Sequence, residues 1–273
     1  MPNAFTEIIV PPVRQFTADI GRLEREKHRI RGFLEIDVTQ SLERIKTIRT
    51  PGHKISFLGW FLKVLADTVS CHPPVNGIKK GRNRVIVFKQ IDISTIIEKQ
   101  VDCVSVPLPL VIRAVNTKSP HQITQEIQNA VEQSLEVGKA PSIGAEDNQF
   151  LIAMGLILPQ RLRLFVMRSF ILNNTQRMQN TMGTVMVTSL GTVGHVPGFI
   201  IPTSIHPLSI GIGTLTWKPL FFQEKVQARQ VLHLTVSFDH DVIDGMPARH
   251  FIADLVNRLS QAYALDGSQS QES

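Results

Sequence analysis

The chain has 273 residues, 42% of them hydrophobic and 19% charged, enough apolar content to build a substantial core and unlike a disordered polypeptide. Its two cysteines, Cys71 and Cys103, do not suggest a disulfide framework; neither has metal-ligand neighbours at zinc-like spacing, so both read as core thiols and no metal is expected. The net charge of +6 raises the question of nucleic acid, but aromatic residues are 6% of the chain and do not interleave with the basic ones, so no nucleic-acid partner is expected.

Met1 to Glu7 lacks a charged segment followed by an apolar run, so no secretory signal is apparent and the cytoplasm is the expected location. Phe33-Leu-Glu-Ile-Asp-Val-Thr39 carries a strand. Lys54-Ile-Ser56 opens an apolar stretch to Val69 that Lys63 and Asp67 interrupt; it is too short to span a bilayer and reads as a buried helix. Lys79, Lys80, Arg82 and Arg84 surround Gly81 and Asn83 as at a solvated hairpin tip. From Phe150 to Leu172, apolar residues mix with Arg161, Arg163 and Arg168, and Pro159 breaks the stretch midway. Gly183 to Gly194 and Pro202 to Gly213 read as two short strands joined by a glycine- and proline-rich turn region.

Leu232, Leu234, Val236 and Phe238 alternate with His233, Thr235 and Ser237, the period of a half-buried strand. Phe251, Ile252, Leu255, Val256 and Leu259 then follow helical spacing. The closing Asp266 to Ser273 is polar and expected to fray.

Between that strand and that helix lies Asp239-His-Asp-Val-Ile-Asp-Gly245, a His-x-x-x-Asp-Gly element. With an unperturbed pKa of about 6.5, a neutral imidazole takes a proton from a thiol, hydroxyl or amine as it attacks a thioester, which makes His240 a candidate general base. Asp244 is placed to fix the loop by pairing with an arginine or with backbone donors, and Gly245 to permit a tight turn or a close approach. The plain alternative is an ordinary histidine at a strand end.

These stretches, together with His72-Pro-Pro-Val-Asn76, Ile91-Asp-Ile-Ser94 and Pro109-Leu-Val-Ile-Arg113, run from about residue 30 to about residue 262 in an order that resembles the catalytic domain of the dihydrolipoamide acyltransferases of 2-oxoacid dehydrogenase complexes. The resemblance implies an α/β two-layer sandwich, a mixed β-sheet with helices on one face, in the chloramphenicol acetyltransferase-like fold. It implies a homotrimer with its active site between subunits. It makes His240 the general base, Asp244 the residue that orders the loop with Asp239 and Gly245 supporting it, and Thr188, with Ser189 beside it, the hydroxyl donor to the oxyanion. A threonine in a strand equally needs no function. Coenzyme A enters as acyl-CoA substrate, and the excess positive charge suits its phosphates, although no cofactor-binding residue is assigned.

The chain departs from the family pattern in four ways. Asp241 replaces the common arginine after the histidine, and a nearby carboxylate would favour imidazolium if desolvated. Arg31-Gly32 stands where a Pro-His pair is expected, which puts lipoamide recognition in doubt. Residues 143–182 exceed the family's short link, and 150–172 form an apolar and basic insert that would cap an acyl-binding tunnel, pack on a neighbouring subunit, or touch a membrane surface. Residues 1–273 read as a single acyltransferase domain with no lipoyl or subunit-binding domain and no covalent lipoyl group. The acyl group is then expected from acyl-CoA, from a carrier protein or from a lipoyl domain on another chain, and an isolated trimer is expected rather than a cage. The alternatives are a secondary-metabolite or lipid acyltransferase of the wider His-x-x-x-Asp superfamily and a catalytically idle trimeric scaffold.

Overall fold

The computed structural model describes residues 14–48, 54–101, 104–132, 158–189 and 196–265, together with Thr6 and Thr50. In chain order the elements are α1 (Arg14–Glu24), β1 (Arg29–Asp37), α2 (Thr39–Thr47), α3 (Phe57–Cys71), β2 (Gly77–Lys80), β3 (Arg84–Val87), β4 (Ile93–Val101), β5 (Val104–Ile112) and α4 (Pro120–Glu132). They continue with α5 (Gln160–Val166), which runs into a π-helical stretch Met167–Leu172, then α6 (Thr175–Met182), β6 (Val185–Ser189), β7 (Leu208–Phe222), β8 (Lys225–Asp239) and α7 (Gly245–Ser260).

Six strands form one sheet in the order β1-β8-β7-β6-β4-β5, with β6 parallel to both β4 and β7 and the remaining neighbours antiparallel. The expected mixed α/β sheet is therefore what the chain forms. Pro107 and Pro109 lie in the edge strand β5, where a missing N–H donor is tolerated. β2 and β3 make a separate two-stranded hairpin.

Alternation along the strands gives the sheet two different faces. One carries Ile36, Val187, Ile210, Leu234 and Val236, all in the main core with Trp60 and Leu65 of α3, Ile123 of α4 and Phe251 and Leu255 of α7. The apolar run from Phe57 becomes the buried helix α3, its first turn closed by Ser56, whose Oγ accepts the Gly59 N–H at 3.0 Å. Ile252 of α7 rests over Gly32, where an added Cβ would sit 3.8 Å from its Cδ1.

The opposite face is polar, and here the structure corrects the sequence reading of a half-buried strand. His233, Thr235 and Ser237 are as buried as their apolar neighbours, because the segment from Val196 to His206 runs across them. Gly198 and Thr214 exchange hydrogen bonds, and the Phe199 ring meets His233 edge-on at 5.0 Å and Phe33 at 5.4 Å. A Cβ on Gly211 would lie 2.2 Å from the Ile200 carbonyl oxygen, and one on Gly213 2.2 Å from that of Gly198, so only glycine lets the segment down onto β7. β6 and β7 pair in parallel, which needs such a crossover; β6 is short, as expected, but β7 has 15 residues.

A second, smaller cluster joins Leu23 of α1 to Met167 and Ile205, with Leu164 and Ile171 against it. At its edge Arg163, 4% exposed, pairs with the fully buried Asp19, which also accepts from Gln160 Nε2 at 3.0 Å. Pro159 stands at the N-cap of α5, the helix starting directly after it. The part of the predicted insert from Phe150 to Ile157, and the tail 266–273, lie outside the described residues. Among the described residues no helix is long and apolar enough to cross a membrane. Cys71 is exposed at the end of α3 rather than in the core, because the helix turns its last residue outward next to Arg258; Cys103 lies outside the described residues.

Candidate functional site

β8 ends at Asp239, and the next five residues turn the chain into α7. Asp239 is 3% exposed and holds this turn from its start. Its Oδ2 accepts from Lys27 Nζ at 2.7 Å, its Oδ1 accepts the Asp241 N–H at 3.2 Å, and its carbonyl accepts the N–H groups of Val242 and Ile243 at 3.0 and 3.1 Å. Ile243, 3% exposed, anchors the turn in the core. The His240 N–H donates to the His28 carbonyl at 2.7 Å, so the backbone of the candidate base is fixed from the chain entering β1.

The His240 imidazole is 49% exposed, and its Nδ1 lies 3.9 Å from Asp244 Oδ1. Asp244 is the residue before α7, yet its side chain accepts no capping hydrogen bond and is 91% exposed. The loop-ordering contacts expected of Asp244 are thus made by Asp239, whose carboxylate is buried where an amide and an ammonium converge. Gly245 has no positive φ, and a Cβ there would meet nothing within 4 Å, so neither a tight turn nor a close approach inside this chain requires it.

Asp241, expected to bear on His240, turns instead to His28, its Oδ1 3.0 Å from His28 Nδ1. The His28 hydrogen bond, more than the weak opposing effect of burial, holds the Asp241 carboxyl below its ordinary range, and the charges of Lys79 and Lys27 add to it. Lys27, His28 and Lys79 were not singled out as site residues from the sequence. The Lys27-His28 pair just before a strand carried no signal, because its partners are some two hundred residues away.

Thr188 is half-buried near the end of β6 and Ser189 is exposed beside it. The register places Thr188 opposite Gly211, Gly211 opposite Thr235 and Thr235 opposite Phe33, one row across the polar face. His240 lies five residues beyond Thr235 along β8 and two strands away from β6. At about 3.4 Å per residue and about 4.8 Å per strand, the two are roughly 20 Å apart. The structure brings His240, Asp239 and Asp244 together and leaves Thr188 and Ser189 elsewhere on the same chain. A pocket of about 340 Å³ opens between α2 and the end of α7, lined by Gln40, Glu43, Arg44, Thr47, Gln261 and Ala262, and holds none of these residues. Among the described residues no cluster of three or more His, Cys, Asp or Glu side chains is placed to hold a metal ion.

The model of the catalytic domain of 2-oxoacid dehydrogenases acyltransferase matches residues 5–147 and 172–265. The chain belongs to this family. Residues 148–171, between the two matched stretches, lie outside the match. The lipoamide acyltransferase component of the branched-chain alpha-keto acid dehydrogenase complex of Pseudomonas putida is 28% identical over 93 residues, 34% of this chain and 22% of that protein. The match thus spans about a fifth of this curated relative. The fold is that of a probable dihydrolipoamide acetyltransferase of Listeria monocytogenes, at TM-score 0.68 and 17% identity over 98% of both chains. It is also that of the dihydrolipoamide acetyltransferase of Azotobacter vinelandii, at TM-score 0.67 and 20% identity over 97% of this chain and 95% of that one; that structure was studied for the roles of a serine, a histidine and an asparagine in catalysis.

Proposed function

We propose that this family member moves an acyl group from a CoA thioester to a thiol, amine or hydroxyl acceptor, with His240 as general base, at a site completed between subunits of a homotrimer. The observation that carries the reading is His240 at the end of β8, its main chain pinned to His28, its ring half in solvent and its Nδ1 facing Asp244 at 3.9 Å. With Nδ1 on the side of the carboxylate, Nε2 is the nitrogen proposed for proton transfer. In the reaction Nε2 takes the acceptor's proton as the acceptor attacks the thioester carbonyl. The C–S bond then breaks, and the leaving CoA thiolate recovers the proton from the imidazolium.

Thr188 is the proposed donor to the oxyanion, a contribution of about 3 kcal/mol in comparable sites. Its distance from His240 within one chain supports a shared site, in which Thr188 of one subunit faces His240 of the next. The names of the relatives favour a lipoyl or dihydrolipoyl group among the acceptors, presented by a separate partner.

The test is thiol release from a panel of acyl-CoA thioesters with dihydrolipoamide and simple amines as acceptors, for wild type and His240→Ala. Acceptor-dependent release that falls about a hundredfold or more in the variant is the expected result. Release that is unchanged in His240→Ala refutes the assignment of the base.

A further inference from the structure

α5 and the π-helical stretch that follows it make one helical rod from Gln160 to Leu172 with two unlike sides. Arg163, Met167 and Ile171 recur at intervals of four and turn inward, the arginine to Asp19 and the others to the cluster of Leu23 and Ile205. Leu162, Phe165 and Phe170 turn outward and are 46%, 61% and 54% exposed. Phe170 reaches that side because of the π-helical turn. In an unbroken α-helix it would lie about 140° around the axis from Phe165, close to the inward side. The wider turn, closed by the Asn173 N–H on the Arg168 carbonyl at 2.9 Å, five residues back, swings it round beside Leu162.

The stripe is edged by positive charge. Arg161 and Arg168 are exposed along its other flank, Arg168 in a pair with Glu26. From residue 158 to residue 182 there are four arginines and no acidic residue. A second segment without acid, 77–91, abuts the end of the rod, since Lys80 donates to the Asn173 carbonyl and Arg84 stands opposite Lys80 in the hairpin register.

An apolar stripe edged by arginines, on a rod too short to span a bilayer, has the make-up of a helix that lies in a membrane interface. Its three outward side chains offer on the order of 300 Å² of apolar surface, well short of the roughly 800 Å² that each partner gives to a stable protein interface. A second copy meeting the stripe symmetrically would also oppose the same arginines. A lipid surface needs no shaped counterpart and supplies the negative charge. We propose that the outward side of residues 160–172 docks on an anionic bilayer surface. Leu162, Phe165 and Phe170 enter the boundary between headgroups and acyl chains, and Arg161 and the basic hairpin meet the lipid phosphates. This contact is independent of the chemistry proposed at His240.

Flotation of the full chain with phosphatidylcholine vesicles, with and without phosphatidylglycerol, tests the surface. Wild type should float with the anionic vesicles, less with the neutral ones, and less again as salt is raised. Leu162→Gln/Phe165→Gln/Phe170→Gln should weaken that partition about tenfold or more, with the thermal midpoint and the sedimenting mass unchanged. The milder Phe165→Trp should gain a blue-shifted fluorescence on anionic vesicles, beyond any change from Trp60 and Trp217 in wild type. Wild type that floats with neither vesicle overturns the proposal, as does equal flotation with both, or a triple variant that floats as well as wild type. A triple variant that sediments as a smaller assembly makes the stripe a subunit contact and overturns the proposal too.

Discussion

The two faces of the six-stranded sheet are built from the same strands but obey different rules. Under the helices, Val187, Ile210 and Val236 form a row of branched apolar side chains, with Ile212 and Leu234 in the next row, and Phe251, wholly buried, meets Phe238 edge-on at 5.6 Å. Under the 196–206 segment, Thr188, Gly211, Thr235 and His233 form rows of small or polar side chains, and the Thr235 hydroxyl and His233 Nε2 are buried without a hydrogen-bond partner among the described residues. The first face gains stability by removing apolar area from water; the second gives some of that up to bring backbone and hydroxyl groups close together. Stability and the proposed chemistry are therefore separable by substitution.

The sharpest way to break this contrast is Phe251→Ala. Removing a fully buried ring from the helix-covered face should cost about 3–5 kcal/mol, read from urea unfolding, and should lower activity only through the population of folded chain. A loss below 1 kcal/mol would mean that this face does not carry the core.

The polar face should answer to acid. Burial lowers the His206 pKa to about 4, against a weaker opposing effect of its hydrogen bond to the Met182 carbonyl at 2.9 Å, and the nearby Arg29 charge adds to the lowering. An unfolded histidine binds its proton below about pH 6.5 while the folded one stays neutral until about pH 4, so the unfolded state gains protons first across that window. The stability contribution is complete above pH 6.5 and declines as pH falls toward 4, by about 3 kcal/mol in all. Unfolding free energies for wild type and His206→Gln between pH 7 and 4 should converge as the pH drops; parallel curves would remove His206 from the account.

Thr188→Ala should reverse the pattern of Phe251→Ala, with kcat down about a hundredfold and the thermal midpoint within a degree or two of wild type. An equal loss of stability and activity would return Thr188 to a plain strand residue. The smallest effect is expected at Gly211→Ala. The added methyl must displace the Ile200 carbonyl, at about 1–2 kcal/mol, and the proteolytic sensitivity of the 196–206 segment should rise ahead of that of the rest of the chain.

The apolar face was readable in the sequence because alternation in β8 and helical spacing in α7 are local signals, and His240 stood out because its spacing to Asp244 and Gly245 is local too. The polar face was misread for the same reason. Nothing local in His233-Leu-Thr-Val-Ser237 says that a segment some thirty residues earlier lies across it; that depends on the absent Cβ atoms of Gly211 and Gly213. The role of Asp239 in holding the turn, with Lys27, and the diversion of Asp241 to His28 are likewise long-range pairings that no spacing rule reports.

The buried pair of Asp19 and Arg163 makes a point change and a deletion unequal. Arg163 belongs to the stretch outside the family match, whereas Asp19 sits in α1, inside the matched region. Replacing Arg163 alone, with the rest of α5 in place, leaves a buried carboxylate facing, among the described residues, only Gln160 and Arg22, the latter 3.9 Å away, at a cost of about 3–5 kcal/mol. Removing the whole of α5 takes away the cover as well and returns Asp19 to water, so at this residue losing one side chain is expected to cost more than losing the helix.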